Sequence, residues 1–148
     1  MPTNYFLIAG GTLSAIAALA HLGCIVFGAS WYRFFGAGEK MVQLVEAGSS
    51  RPTRVTLLVA AVLLVWSAYA LSGAGVIPRL PFLRIILCAI TAVYLLRGLL
   101  FFLLIPYFPG NSLAFWLWSA AICLGIGLLH LAGLIQAWGL LAAPPILQ

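Results

Sequence analysis

Acidic side chains are almost missing from this chain: Glu39 and Glu46 are its only two carboxylates, against seven lysines and arginines. With so few acids there is no repeated acidic motif for metal-dependent phosphate chemistry. Histidine is equally scarce, at His21 and His130, so a histidine box for a di-iron centre is excluded. The three cysteines, Cys24, Cys88 and Cys123, form no CxxC and no Cys/His cluster with zinc spacing. They read as small packing residues inside apolar runs. No GxSxG nucleophile elbow occurs, and no serine or cysteine has a base at a telling spacing. Neither a metal nor a cofactor is expected.

Charge of any kind is scarce: 6% of residues are charged and 65% are hydrophobic, with a mean hydropathy of +1.19. Soluble domains carry about 25% charged residues, and a water-soluble core of this length has no room for so much apolar surface. The composition predicts an all-α integral membrane protein. The net charge of +5 is spread around apolar segments without a basic stripe or stacking platform, which excludes nucleic acid and makes anionic lipid headgroups the natural counter-charge.

Four segments are long enough to span a bilayer: about 5–28, 52–72, 81–105 and 112–138. They make one domain over residues 1–148, an antiparallel four-helix bundle. Pro52 and Pro81 suit first-turn positions, where a missing N–H costs nothing. Pro106, Pro109, Gly110 and Asn111 mark the turn between the third and fourth spans. The loop over 29–51 opens on Trp31-Tyr32-Arg33-Phe34-Phe35, an aromatic and basic run suited to the headgroup layer. After Gly36-Ala37-Gly38 it forms a short amphipathic helix over Glu39 to Ala47, with Met41, Leu44 and Val45 on one side and Gly48 as its stop. The apolar tail, Gly139 to Gln148, is placed at the interface.

The first span has neither a charged n-region nor a cleavage site ahead of a polar domain, so it reads as a retained helix. Arg33, Lys40, Arg51 and Arg54 flank one face of the membrane; Arg79, Arg84 and the amino terminus flank the other. The balance puts the long loop in the cytoplasm and both termini outside. The absence of an organelle-targeting segment and the small size point to a bacterial inner membrane.

Arg97 is the sharpest clue. It stands alone among apolar residues from Ile85 to Ile105, and a permanently protonated guanidinium in hydrocarbon needs a carboxylate, carbonyls, water or an anionic ligand. Alternating helix directions put His21, Arg97 and Ser119 in the same half of the bilayer, with Tyr94 one turn nearer the centre. A ligand site of Arg97, His21, Tyr94 and Ser119, closed by a loop bringing Glu39 and Arg33, is therefore expected. The bland alternatives are snorkelling for Arg97, a helix–helix hydrogen bond for His21, a solvated acid for Glu39 and a phosphate contact for Arg33. His130 reads as a packing and hydrogen-bonding residue; its depth, roughly 10–15 Å from that of His21, makes the two a poor axial pair for haem.

Three functions follow. The favoured one is binding or transport of an anionic or amphipathic small molecule or lipid in a pocket around Arg97, in a homo-oligomer because four helices make a narrow path. The second is an accessory or structural subunit of a larger membrane complex, in which Arg97 pairs with an acid on a partner. The third, an intramembrane enzyme acting on a lipid or isoprenoid with Glu39 or His21 as acid or base, is the weakest, for want of titratable groups.

Overall fold

The computed structural model describes residues 3–108 and 110–142. Among these the regular elements are all helices, six of them α-helices: α1 (Tyr5–Phe27), α2 (Ala29–Phe34), α3 (Glu39–Glu46), α4 (Ser50–Gly73), α5 (Leu83–Leu99) and α6 (Leu113–Ala142). Two 3₁₀ turns, Phe101–Leu103 and Ile105–Tyr107, follow α5. Helices α1, α4 and α6 are each long and apolar enough to cross a membrane. Helix α5 reaches that length only if the bent 3₁₀ segment is counted with it as one span.

Local sequence sets the helix ends. Asn4 caps α1, its side chain accepting from the Leu7 N–H at 3.0 Å. Gly28, at φ 69°, ends α1 and starts α2 without a linker. Ser49 and Ser112 accept from the first-turn amides of Arg51 and Phe115 at 3.3 and 3.1 Å, capping α4 and α6. The expected surface helix over 39–47 is present as α3, and Val42, rather than Met41 or Leu44, is its most buried residue, packed with Cys24 and Tyr32. Trp31 and its neighbours, read as headgroup residues, form the separate helix α2. The Tyr32 hydroxyl lies 2.8 Å from Thr56 Oγ1 and ties α2 to α4.

Helices α1, α4, α5 and α6 form a ring in that order, each antiparallel to its neighbours. Leu7 near the start of α1 meets Gly73 at the end of α4 and Gly133 late in α6. Asn4 Nδ2 donates to the Gly133 carbonyl at 2.8 Å, so the start of α1 and the end of α6 lie on one side of the bundle. The interior is lined by Leu7, Leu87, Ile90, Tyr94, Ile126 and Leu134, while Leu19, Leu58, Leu96 and Trp118 face outward and exposed. An apolar exterior of this kind is compatible with a multi-pass membrane protein.

Three boundaries differ from the sequence reading. The third span was expected to run from 81 to 105, but its helix stops at Leu99 and the chain bends by 72° into the 3₁₀ segment. Pro106 supplies no N–H and disfavours helix at Ile105, yet the residues before it stay apolar, so hydropathy carries no sign of the bend. Pro81 lies before α5, not in its first turn, because Phe82 takes the left-handed conformation at φ 54° and holds the helix off until Leu83. The tail was placed at the interface from Gly139 onward, but 139–142 continue α6; Pro109 and residues 143–148 lie outside the described residues.

Candidate functional site

Arg97 belongs to the last turn of α5, where the carbonyl end of the helix dipole favours a cation by about 0.3–1 kcal/mol. The bend after Leu99 puts it near the end of the bundle, on the side of the long loop. The close approach of α5 and α6 sets its partners: a Cβ on Gly98 would sit 2.9–3.0 Å from Leu124 backbone atoms, so only glycine allows this spacing. At that spacing Arg97 Nη2 donates to Ser119 Oγ at 2.9 Å. The guanidinium carbon lies 5.1 Å from the centre of the Trp116 ring, within cation–π range.

These contacts leave two donors over. Among the described residues Arg97 Nη1 is buried with no hydrogen-bond partner, and so is Trp116 Nε1 on a side chain only 3% exposed. A buried donor left unpaired costs about 1–3 kcal/mol, and more when charged. Arg33 is the only base with a carboxylate within ion-pair distance among the described residues. The charge on Arg97 therefore has no counter-ion in the described chain. What the arrangement offers is a cation, an indole N–H and a hydroxyl on facing helices, a set that suits a carboxylate, phosphate or sulfonate oxygen.

Aromatic residues wall this corner. Phe108, carried back by the bent segment, and Phe115 flank the Trp116 ring at 6.4 and 5.6 Å between centres. The 36–38 turn closes on the same end of α6: Gly36, at φ 71°, packs against Phe115, and Gly38, at φ 86°, leaves no room for a Cβ beside Asn111 Oδ1.

Of the six residues expected to converge, the structure brings together Arg97 and Ser119. The other four make their hydrogen bonds and ion pairs elsewhere. Tyr94 turns to the middle of the bundle, where its hydroxyl is 2.9 Å from Ser14 Oγ and its ring meets Trp66 and His130. His21 is spent on its own helix, its Nδ1 donating to the Ala17 carbonyl at 2.7 Å. Arg33 pairs with Glu46 at 2.8 Å and with Glu39 at 3.9 Å, both on the exposed surface. The physical reason is rotation: residue depth follows from counting, but which way Tyr94 or His21 faces depends on packing. Trp116 was not foreseen, although it stands one turn before Ser119 and so shares its face.

The middle of the bundle holds a second polar group. His130 is fully buried, its Nδ1 donating to the Ile126 carbonyl at 2.9 Å and its Nε2 without a partner. Its ring fills the space over Gly10, where a Cβ would come within 2.7 Å. Ser14 donates to the Gly10 carbonyl at 2.9 Å, so Gly10, Ser14, Tyr94 and His130 form one packed unit across three helices. Its contacts are those of a core that fixes helix rotation. No family model, curated protein or solved structure matches the chain.

Proposed function

We infer that this chain is a multi-pass membrane protein that binds an anionic or amphipathic ligand, held at Arg97 with Trp116 and Ser119 on the side of the long loop. The observation carrying this reading is the pair of buried donors, Arg97 Nη1 and Trp116 Nε1, that have no partner among the described residues, on and beside a guanidinium with no carboxylate in ion-pair range there. A single oxyanion accepting from both, with Ser119 already engaged, satisfies them and neutralises the charge. The apolar exterior and the aromatic wall of Phe108 and Phe115 suit a ligand with an apolar body; positive-inside counting favours the cytoplasm for this side, and a bacterial inner membrane is the proposed setting. Binding rather than proton transfer fits a site where, among the described residues, no carboxylate or imidazole contacts the arginine.

The accessory-subunit reading draws on the same two donors, with a partner's carboxylate as the oxyanion. The indole N–H resonance of Trp116, assigned by its loss in Trp116→Phe, separates occupied from empty sites. Gentle extraction followed by delipidation is expected to move that resonance upfield, and added ligand to restore it. An indole signal indifferent to delipidation and to Arg97→Ala contradicts an oxyanion at this place. A signal restored only by a co-extracted polypeptide selects the subunit reading.

A further inference from the structure

The opposite end of the bundle, where α1 starts and α6 ends, holds two more arginines whose charges the described chain does not answer. Arg79 sits in the loop between α4 and α5. That loop is pinned by Ser72, whose Oγ donates to the Pro78 carbonyl at 3.0 Å and accepts from the Leu80 N–H at 2.9 Å. So fixed, Arg79 Nη2 donates to the Leu141 carbonyl at 2.6 Å at the end of α6, while its Nη1 is buried without a partner among the described residues. Arg84, one turn on, lays its guanidinium over the Trp138 ring at 3.7 Å. Stacking uses the face of the guanidinium and leaves its in-plane N–H donors free.

Two depressions meet at Arg79. A cavity of about 430 Å³ lies among Asn4, Ser72, Arg79, Leu83 and Gln136. A more open groove of about 740 Å³ runs from Arg79 past Phe82 and Arg84 to Cys88 and Trp138, along the outer faces of α5 and α6. Both acids of the chain, Glu39 and Glu46, belong to α3 at the other end. The first turn of α5 adds to the imbalance: it has no acid and no side-chain cap, and it carries Arg84 at the end where the helix dipole is already positive.

We propose that Arg79 and Arg84 form a binding site for the phosphodiester of an anionic phospholipid, with an acyl chain lying in the groove between Phe82, Cys88 and Trp138. Charge complementarity selects this occupant. Two guanidinium groups with donors to spare, an uncapped helix start and no carboxylate in ion-pair range among the described residues call for a phosphate, and the apolar floor beyond them calls for a chain attached to it. The site lies at the end of α5 opposite Arg97 and does not depend on a ligand there.

The test is native mass spectrometry of the delipidated full chain titrated with phosphatidylglycerol and with phosphatidylcholine of the same acyl chains. The wild type is expected to prefer phosphatidylglycerol. Arg79→Gln and Arg84→Gln are each expected to weaken that preference by about fivefold, the value of one arginine near a headgroup, and Arg97→Gln to leave it unchanged. Arg79→Lys, which keeps the charge and guards against loss of the fold, is expected to fall between. Equal binding of the two lipids overturns the proposal, as does a preference that survives loss of both arginines. Displacement of the lipid by millimolar inorganic phosphate, with no dependence on acyl chain, would make this a free-anion site and not a lipid site.

Discussion

The Tyr94 hydroxyl and Ser14 Oγ lie 2.9 Å apart and join α5 to α1, helices on opposite corners of the ring. Ser14 also donates to Gly10, and the Tyr94 ring rests on His130 and Trp66, so this bond is one strand of a packed unit. Tyr94→Phe keeps the ring and removes only the hydroxyl, and side-chain hydrogen bonds between membrane helices average about 0.6 kcal/mol. A loss of that size is expected in reversible unfolding in detergent or bicelles, with Ser14→Ala coupled to it in a double-mutant cycle.

Gly10→Ala is expected to cost more than Tyr94→Phe. The added methyl meets His130 Cε1 and Nδ1 at 2.7 Å, and that ring is fully buried and tied to Ile126. Overpacking of this kind costs about 1–3 kcal/mol. Shrinking the neighbour is the check: in the double variant with His130→Ala the effect of Gly10→Ala should disappear, which unfolding measurements on the four proteins read directly.

Asn4 makes two bonds, capping α1 through Leu7 and holding α6 through Gly133. Asn4→Ala is expected to lower stability by about 1–2 kcal/mol. Asn4→Asp, which keeps the cap but loses the donor to Gly133, should recover part of this. Thermal unfolding of the two variants beside the wild type separates the cap from the helix–helix bond.

Arg33 and Glu39 were read from the sequence as parts of the ligand site, but they meet each other and Glu46 on the exposed surface of α2 and α3. Exposed pairs are worth about 0–1 kcal/mol. Arg33→Gln and Glu39→Gln are expected to leave both the fold and ligand binding at Arg97 unchanged. Loss of a bound mass in either variant would return these residues to the site.

What the sequence made legible was depth and polarity. Apolar run length marked α1, α4 and α6, the Glu39–Glu46 pattern marked α3, and counting residues put Arg97 level with Ser119. Rotation was hidden, because Tyr94 stands only three residues from Arg97 yet packs on Ser14 and His130. The end of α5 was hidden too: Leu100 to Ile105 are as apolar as the helix before them, so only Pro106 hinted that the chain bends. Trp116 escaped notice because one tryptophan among five carries no signal until the neighbour of its indole N–H is known.

If a bound ligand answers the charge of Arg97, native mass spectrometry of the gently solubilised protein, wild type beside Arg97→Ala and Arg97→Lys, will detect it. A defined extra mass is expected on the wild type, absent from the alanine variant and retained by the lysine variant at an affinity reduced about tenfold, since an ammonium keeps the charge without the planar fork. A bare chain in all three samples, or the same mass on all three in equal amount, would mean that Arg97 holds no ligand.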